Sequence, residues 1–152
     1  MNELKPFDDK LAGLIAAISP AGRRKLAAEI AKELRRSQQQ RIKQQKAPDS
    51  SPYQARKRQP LRAKKGRIKK AMFQKLRTSR YMKASGRSDT AVVEFTGKVQ
   101  HIAQIHQYGL KDRPNPHAQN VQYPARQLLG FSHNEEVIVE KIIIEYLDRK
   151  RL

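Results

Sequence analysis

The chain of 152 residues has no cysteine and no tryptophan, and aromatic residues make up only 6% of it. The absence of cysteine excludes disulfides, thiolate nucleophiles and cysteine-ligated metals, and a reducing cytoplasm suits it. Hydrophobic residues reach only 38%, so the chain can build one core of modest size, to which packing between subunits could add burial. We therefore expect a single domain.

Long hydrophobic runs are absent as well. The N-terminal string MNELKPFDDK is acidic and polar, without the apolar core of a secretory signal. No apolar stretch approaches the roughly 20 residues that a helix needs to cross a bilayer. The sequence therefore predicts a soluble protein that is made in the cytoplasm and has no membrane partner.

Acidic residues are scarce where basic residues are dense. From Arg35 to Arg87 there are 19 Lys/Arg and one acid, Asp49, so this segment carries +18 of the total charge of +19. A chain that is otherwise near neutral therefore contains one strongly basic segment. Such a segment either contacts an anionic partner or stays solvated until a partner orders it.

The first 46 residues predict a helical hairpin. Asp8 can cap a first helix, whose apolar face would comprise Leu11, Leu14, Ile15 and Ile18. Ser19 as N-cap and Pro20 as first helical residue start a second helix. This helix continues as the polar string RRSQQQRIKQQ, which has good helix formers but no apolar stripe. We predict that this extension projects or frays.

Residues 47–66 form a predicted basic arm, punctuated by prolines and ended by Gly66. Tyr53 and Leu61 are its only sizeable apolar anchors. Its charge and polarity leave little to bury, so disorder and order in the free protein both stay open. The predicted contacts with a partner or with nucleic acid are Arg56, Lys57, Arg58, Arg62, Lys64, Lys65 and Arg67.

Residues 67–131 predict an α+β core. A short helical pattern from Arg67 to Arg77 precedes a β-hairpin whose strands flank a longer loop at residues 85–89. After Gly97, the spacing of Val99, Ile102, Ala103 and His106 predicts a helix that stops at Gly109, and residues 121–123 suit a short edge strand.

Residues 132–152 predict a C-terminal helix. Ser132 and Glu135 form a capping box at its start. The apolar face of this helix is wide, so we expect it to pack against the sheet or a neighbouring subunit. The predicted fold class is α+β, with N-terminal helices, a basic arm, a small antiparallel sheet crossed by a helix, and this final helix.

The sequence contains no convincing catalytic constellation. His101 and His106 are five residues apart, so they would not share a helix face, and Asp112 is the only acid close to them. Neither a nucleophile elbow nor a phosphate loop occurs. We therefore predict no enzymatic activity, no metal and no cofactor.

The basic segment has two interpretations that the residues alone leave open. It could contact nucleic-acid phosphates without sequence preference, or it could dock on an acidic protein surface. Tyr53, Phe73 and Tyr81 lie among the basic residues, but their spacing matches no base-stacking module. Neither interpretation includes recognition of a specific sequence.

Four strings run in order through nearly the whole chain and together resemble the phage virion morphogenesis family. They are MNELKPFDDKLAGLIAAISPAGRRKLAAEIAKELRRSQQQRIKQQKAPDSSPY, KLRTSRYMKASG, AVVEFTGKVQHIAQIHQYGLKDRP and VQYPARQLLGFS. The resemblance implies a structural α+β subunit that is not an enzyme. It implies a place in the virion of a contractile-tailed phage, at the head-proximal end of the tail, where it makes the tail competent to join a DNA-filled head.

The resemblance also implies partners. Members of the wider group are expected to form rings, commonly sixfold, around the DNA channel. Such a subunit would contact its own copies, the tail tube or tail terminator below it, and the head connector above it. The basic arm would then reach an adjacent subunit or face the DNA. The alternative function is nonspecific nucleic-acid binding without a virion role.

Individual residues also match the family. Ser50 stands where relatives tend to have glycine, so a turn that needs positive φ there would be strained. In the string His106 to Gly109, the resemblance implies that Gly109 stops the helix and that Tyr108 packs beneath it. The residues that it marks as structural are Tyr53, His106, Tyr108, Gly109, Pro124 and Arg126.

If the basic segment contacts DNA, the purified protein should bind duplexes of unrelated sequence equally well. Its affinity should fall steeply as salt rises, because binding releases condensed counterions. Fluorescence anisotropy with two unrelated duplexes across a salt series measures both properties. Tight binding that survives high salt, or a clear preference for one duplex, would contradict the electrostatic interpretation.

Overall fold

The computed structural model describes residues 9, 12–14, 16–57 and 71–151. Its helices are α1 (Pro20–Lys43), α2 (Gly97–Tyr108) and α3 (His133–Arg151). Its strands are β1 (Met82–Gly86), β2 (Ala91–Phe95), β3 (Lys111–Asp112) and β4 (Val121–Gln122), which pair as β1 with β2 and β3 with β4. The predicted α+β fold class is confirmed.

Several sequence predictions fall outside the described residues. They are the cap at Asp8, two positions of the first apolar face (Leu11 and Ile15), the arm residues beyond Lys57, and the start of the helical pattern that follows the arm. Of the first predicted helix, residues 9, 12–14 and 16 are helical, whereas residues 17 and 18 form a turn and a bend. In the described part of the chain, no helix is both long enough and apolar enough to cross a bilayer.

The chain folds into two compact units, each assembled from segments that are distant in sequence. The first comprises residues 1–35, 84–93 and 133–152, and the second comprises residues 36–83 and 94–132. The single-domain organisation stays a prediction.

In the first unit, α3 packs against the first part of α1. Leu26 of α1 forms a buried cluster with Ile143 and Tyr146 of α3. Ser19 caps α1 as predicted, since its Oγ accepts a hydrogen bond of 3.1 Å from the Gly22 amide. The apolar face of α3 thus packs on α1, a contact that the sequence does not predict, and Val137 stays 47% exposed.

The β1–β2 hairpin is predicted correctly, but its loop is shorter than expected. β1 extends to Gly86, and the Arg87 amide donates to the Thr90 carbonyl at 2.8 Å, which closes a tight turn. At the end of β1 the hairpin lies so close to α1 that a Cβ atom on Gly86 would overlap the backbone of Ala28. Only glycine allows this approach.

In the second unit, the polar end of α1 is packed, which corrects the prediction that it projects or frays. Ile42 has no exposed surface and Gln38 is only 4% exposed. The other buried apolar residues of this unit are Tyr53, Leu76, Met82, Phe95, Ala103, Ile105 and Leu128. The buried Ile42 and the hydrogen-bonded Gln38 therefore hold this part of α1 against the rest of the unit, although it has no apolar stripe.

In this unit the side-chain amides of three glutamines form hydrogen bonds with backbone N–H and C=O groups, as the backbone of a neighbouring strand would. Gln38 donates to the Gly130 carbonyl at 3.0 Å and accepts from the Gly130 amide at 3.1 Å. Gln45 makes the same two-way pair with Met72, at 2.9 and 3.0 Å.

The third glutamine, Gln107, bridges two residues of the irregular segment that contains Gly130. Its Oε1 accepts from the amides of Leu128 and Leu129 at 2.8 and 2.9 Å, and its Nε2 donates to the Leu129 carbonyl at 2.8 Å. Residues 127–130 have no helix or strand partner, so these glutamine side chains satisfy backbone groups that would otherwise be buried without hydrogen bonds.

The predicted helix before the hairpin is wrong over its described part. Residues 72–77 form turns, not a helix. Phe73 adopts a φ of 65°, in the left-handed region that a residue with a side chain rarely takes. A helix cannot continue through this conformation, and the apolar spacing of the sequence does not reveal it.

Replacing Gln107 by methionine should destabilise the fold by about 2–3 kcal/mol, because the amides of Leu128 and Leu129 lose the acceptor that they share. Urea unfolding followed by circular dichroism measures the change. Gln104→Met is the matched control on the exposed face of α2 and should change stability by less than about 0.5 kcal/mol. Equal effects of the two variants would contradict the role given to Gln107.

Candidate functional site

The base of the basic arm is built by a tight turn. The Ser50 amide donates to the Ala47 carbonyl at 2.9 Å, and Ser50 has a φ of 71°. The residue that replaces the expected glycine thus adopts the left-handed conformation, which costs about 1–2 kcal/mol. Asp49 compensates locally by accepting from the Ser51 side chain and amide, and these bonds lower the pKa of its carboxyl.

Tyr53 fastens the arm just after this turn. Its side chain is 9% exposed, and its hydroxyl donates to the Gln127 carbonyl at 2.8 Å. Its amide donates to the Gln45 carbonyl at 2.8 Å. Burial raises the pKa of the Tyr53 phenol to about 12, because the ionised form would lose hydration.

A row of aromatic rings extends from Tyr53. Phe73 meets Tyr53 edge-on with centroids 5.7 Å apart, and it meets His106 at 4.9 Å. His106 in turn meets Tyr123 at 5.3 Å. Each such contact contributes about 0.5–1.5 kcal/mol beyond burial. The row therefore links the arm, the turn at Phe73, helix α2 and the residue after β4.

Arg126 holds the next two residues of the arm. Its Nε donates to the Gln54 carbonyl at 2.7 Å and its Nη2 to the Ala55 carbonyl at 3.2 Å. The residue is only 6% exposed, and burial, with a smaller contribution from the charge of Arg56, lowers the pKa of its guanidinium. The Arg126 amide also donates to the His106 carbonyl at 2.7 Å.

These residues surround a cleft of about 440 Å³. Its walls include two groups, the cations Arg56, Lys57 and Arg126 and the aromatic rings Phe73, His106 and Tyr123. The His106 Nδ1 is buried and has no hydrogen-bond partner among the described residues. Burial, followed by the charge of Arg126, lowers the pKa of His106, so this ring favours its neutral form.

The structure places the sequence-predicted residues in different surroundings. His106, Pro124 and Arg126 line the cleft, and Tyr53 lies beside it, in contact with Phe73 of its wall. Arg56 and Lys57 are exposed on its rim. The other predicted arm contacts, Arg58, Arg62, Lys64, Lys65 and Arg67, lie outside the described residues, so their contacts stay predictions.

The remaining two residues behave differently from each other. Gly109 ends α2 as predicted, with a φ of 66°, and its amide donates to the Ile105 carbonyl. A Cβ at Gly109 would lie 2.7 Å from the Ala125 nitrogen, so glycine is needed for space as well as for conformation. Tyr108 is 68% exposed, which corrects the expectation that it packs beneath Gly109.

Sequence reasoning missed Phe73 as a member of this site. It lies in the region where the sequence predicts a short helix, whereas its positive φ places the ring between Tyr53 and His106. Reasoning from sequence also missed Gln38, Gln45 and Gln107. A glutamine that pairs with distant backbone has no local sequence signal.

No arrangement in the described part of the chain suggests chemistry beyond binding. His101 and Asp112 do approach each other, at 3.8 Å, but both side chains are substantially exposed. Within the described ranges, no three residues of the types that ligate metals are grouped to hold an ion.

Comparison with known proteins identifies relatives over the whole chain. The phage virion morphogenesis family matches residues 2–148. The chain is 47% identical to tail completion protein S of Escherichia phage P2 over 150 residues, which cover 98% of this chain and 100% of that protein. No solved structure matches the chain.

Tyr53 makes the stability of the fold depend on pH at the alkaline end. Its pKa is about 12 in the folded chain, above the ordinary value of 10.0, so its contribution is complete below pH 10.0 and is lost as the pH rises towards 12. Tyr53→Phe should show a shallower loss over this range and, lacking the bond to Gln127, should be about 1 kcal/mol less stable at neutral pH.

Urea unfolding at several pH values measures both effects. Tyr108→Phe is the matched control, because the Tyr108 ring is 68% exposed, and it should keep the parental stability at neutral pH. If Tyr53→Phe lost stability with pH as steeply as the parent, the buried hydroxyl would not be the cause.

Proposed function

Since the chain belongs to the phage virion morphogenesis family, we propose that it is a structural protein that completes the phage tail at its head-proximal end. In this role it makes the tail competent to join a DNA-filled head. The observation that carries the proposal is the 47% identity to a protein named for tail completion, which extends over the full length of that protein.

The proposed location is the head–tail junction of the virion, or neck, with assembly in the host cytoplasm. The partners that we propose are further copies of the chain in a ring, the tail tube or tail terminator, and the head connector. Sixfold symmetry would match the channel through which the DNA passes. A closed ring would also bury surface that one modest core leaves exposed, including Val137 and Ile144 on α3, which are 47% and 45% exposed.

The basic arm is the element that we propose to make contacts outside the subunit. Its base is fixed by the hydroxyl of Tyr53 and the guanidinium of Arg126, while Arg56 and Lys57 are exposed. A fixed base limits where the rest of the arm can reach, which favours ordered contact with an adjacent subunit. Along a DNA channel, the same charges would contact phosphates without sequence preference, so that DNA could still pass.

Electron microscopy of lysates from a phage whose copy of this gene is inactivated tests the proposal. We expect full heads beside tails of normal length that remain unattached. Supplying the intact gene from a plasmid should restore joined particles. This rescue controls for effects on neighbouring genes.

Two outcomes would contradict a role in tail completion. Normal infectious particles would mean that the protein is dispensable for joining. An absence of both heads and tails would place it at an earlier step of assembly.

A further inference from the structure

The cleft at the base of the arm has an unbalanced charge. Its walls contain the cations Arg56, Lys57 and Arg126, and no carboxylate of a described residue lines it. Concentrated charge of one sign around a concave surface strengthens the local potential, because low-dielectric walls focus the field. The cleft is therefore attractive to an anion.

Arg126 is the most buried of the three cations that cause this imbalance. It is 6% exposed, its guanidinium bonds reach only the neutral carbonyls of Gln54 and Ala55 within the described structure, and the charge of Arg56 opposes its own. A buried cation is ordinarily paired with an anion, since desolvation otherwise disfavours the charged form. An anionic ligand at this position would supply the missing partner.

The rest of the cleft indicates what kind of anion fits. Phe73, Tyr123 and Pro124 give it an apolar wall beside the cations. Its volume of about 440 Å³ falls in the range of sites that enclose a small ligand or a few side chains. Duplex DNA presents its phosphates on a convex surface and keeps its bases stacked inside, whereas a protein segment can insert both a carboxylate and an apolar side chain into a cleft, so a protein segment fits better.

We propose that this cleft binds an acidic segment of a partner protein, which places a carboxylate at the three cations and an aromatic or aliphatic side chain on the apolar wall. The proposal rests on the function proposed above, in which the chain joins other virion proteins, and it gives the chemistry of one contact. Arg56 and Lys57 of the arm line this cleft, so a segment bound there would contact the arm as well.

Binding of a model peptide to the full-length chain tests this directly. The probe is a fluorescein-labelled peptide with one phenylalanine between two pairs of glutamates, followed by anisotropy at physiological salt. We expect saturable binding at micromolar protein concentrations. Replacing the glutamates by glutamines, or the phenylalanine by glycine, should each weaken binding about tenfold, because both the charges and the apolar wall contribute.

Charge-reversal variants locate the site. The double variant Arg56→Glu/Lys57→Glu changes two exposed side chains at the rim and should weaken binding of the acidic peptide by about tenfold or more. The matched control is Lys75→Glu/Lys98→Glu, which makes the same charge change at exposed positions of the same unit that do not line the cleft. Circular dichroism confirms that both variants are folded.

Several outcomes would overturn the proposal. If the acidic peptide showed no saturable binding, an acidic protein segment would not be the ligand of the cleft. An equal loss of affinity in the two double variants would show that binding depends only on overall charge. Unchanged binding of the peptide that lacks phenylalanine would show the same. Complete displacement of the peptide by an equimolar DNA duplex would identify nucleic acid as the preferred ligand.

Failure of this inference is separable from failure of the proposed function. If lysates show unattached tails but the peptide does not bind, the chain completes tails through another surface. If the peptide binds as expected but particles form normally, the cleft is a binding site and the role in joining is wrong.

Discussion

The second unit depends on side-chain amides that take the place of a neighbouring strand. Residues 127–130 belong to no helix or sheet, and their backbone groups find partners in Gln38, Gln107 and Tyr53. Buried peptide groups must be hydrogen-bonded, so these side chains hold the segment in place, together with Arg41, whose Nη2 donates to the Leu128 carbonyl at 2.6 Å. The strands of this unit that pair with each other, β3 and β4, are two residues long and could not supply the same order.

The base of the arm inherits its position from this arrangement. The Gln127 carbonyl accepts the hydrogen bond of the Tyr53 hydroxyl, and the residue before it, Arg126, binds the carbonyls of Gln54 and Ala55. Fixing residues 127–130 therefore fixes both attachments of the arm. The described part of the arm after its turn is held by the buried ring and the hydroxyl of Tyr53 and by the guanidinium of Arg126.

Whether a feature could be predicted from sequence depends on how far apart in the chain its interacting residues lie. The start of α1 at Ser19 and the end of α2 at Gly109 depend on caps within a few residues, and both were predicted correctly. The packing of the polar end of α1 was not predicted, because Gln38 bonds to Gly130, 92 residues away. The left-handed turn at Phe73 was missed for a related reason, since contacts with Tyr53 and His106 compensate its strain.

The candidate site shows the same limit in another form. The sequence shows that the basic charge is concentrated in one segment, and its family resemblance marks Tyr53, His106 and Arg126 as structural residues. It does not predict that His106 and Arg126 line one cleft beside Tyr53. Their convergence requires residues 53, 106 and 126 to be joined through long-range contacts. Only the folded chain shows that a charge used to hold the arm also lines a cavity.

Arg126 contributes both to the attachment of the arm and to the positive charge of the cleft. Its guanidinium satisfies two carbonyls of the arm, and it does so with a rigid fork of N–H donors that no neutral side chain offers. The chain therefore keeps a nearly buried cation beside Arg56 and Lys57, at a cost that no described carboxylate of the cleft offsets. A subunit that met an acidic partner here would recover that cost only on assembly, which makes the joined state more favourable than the free one.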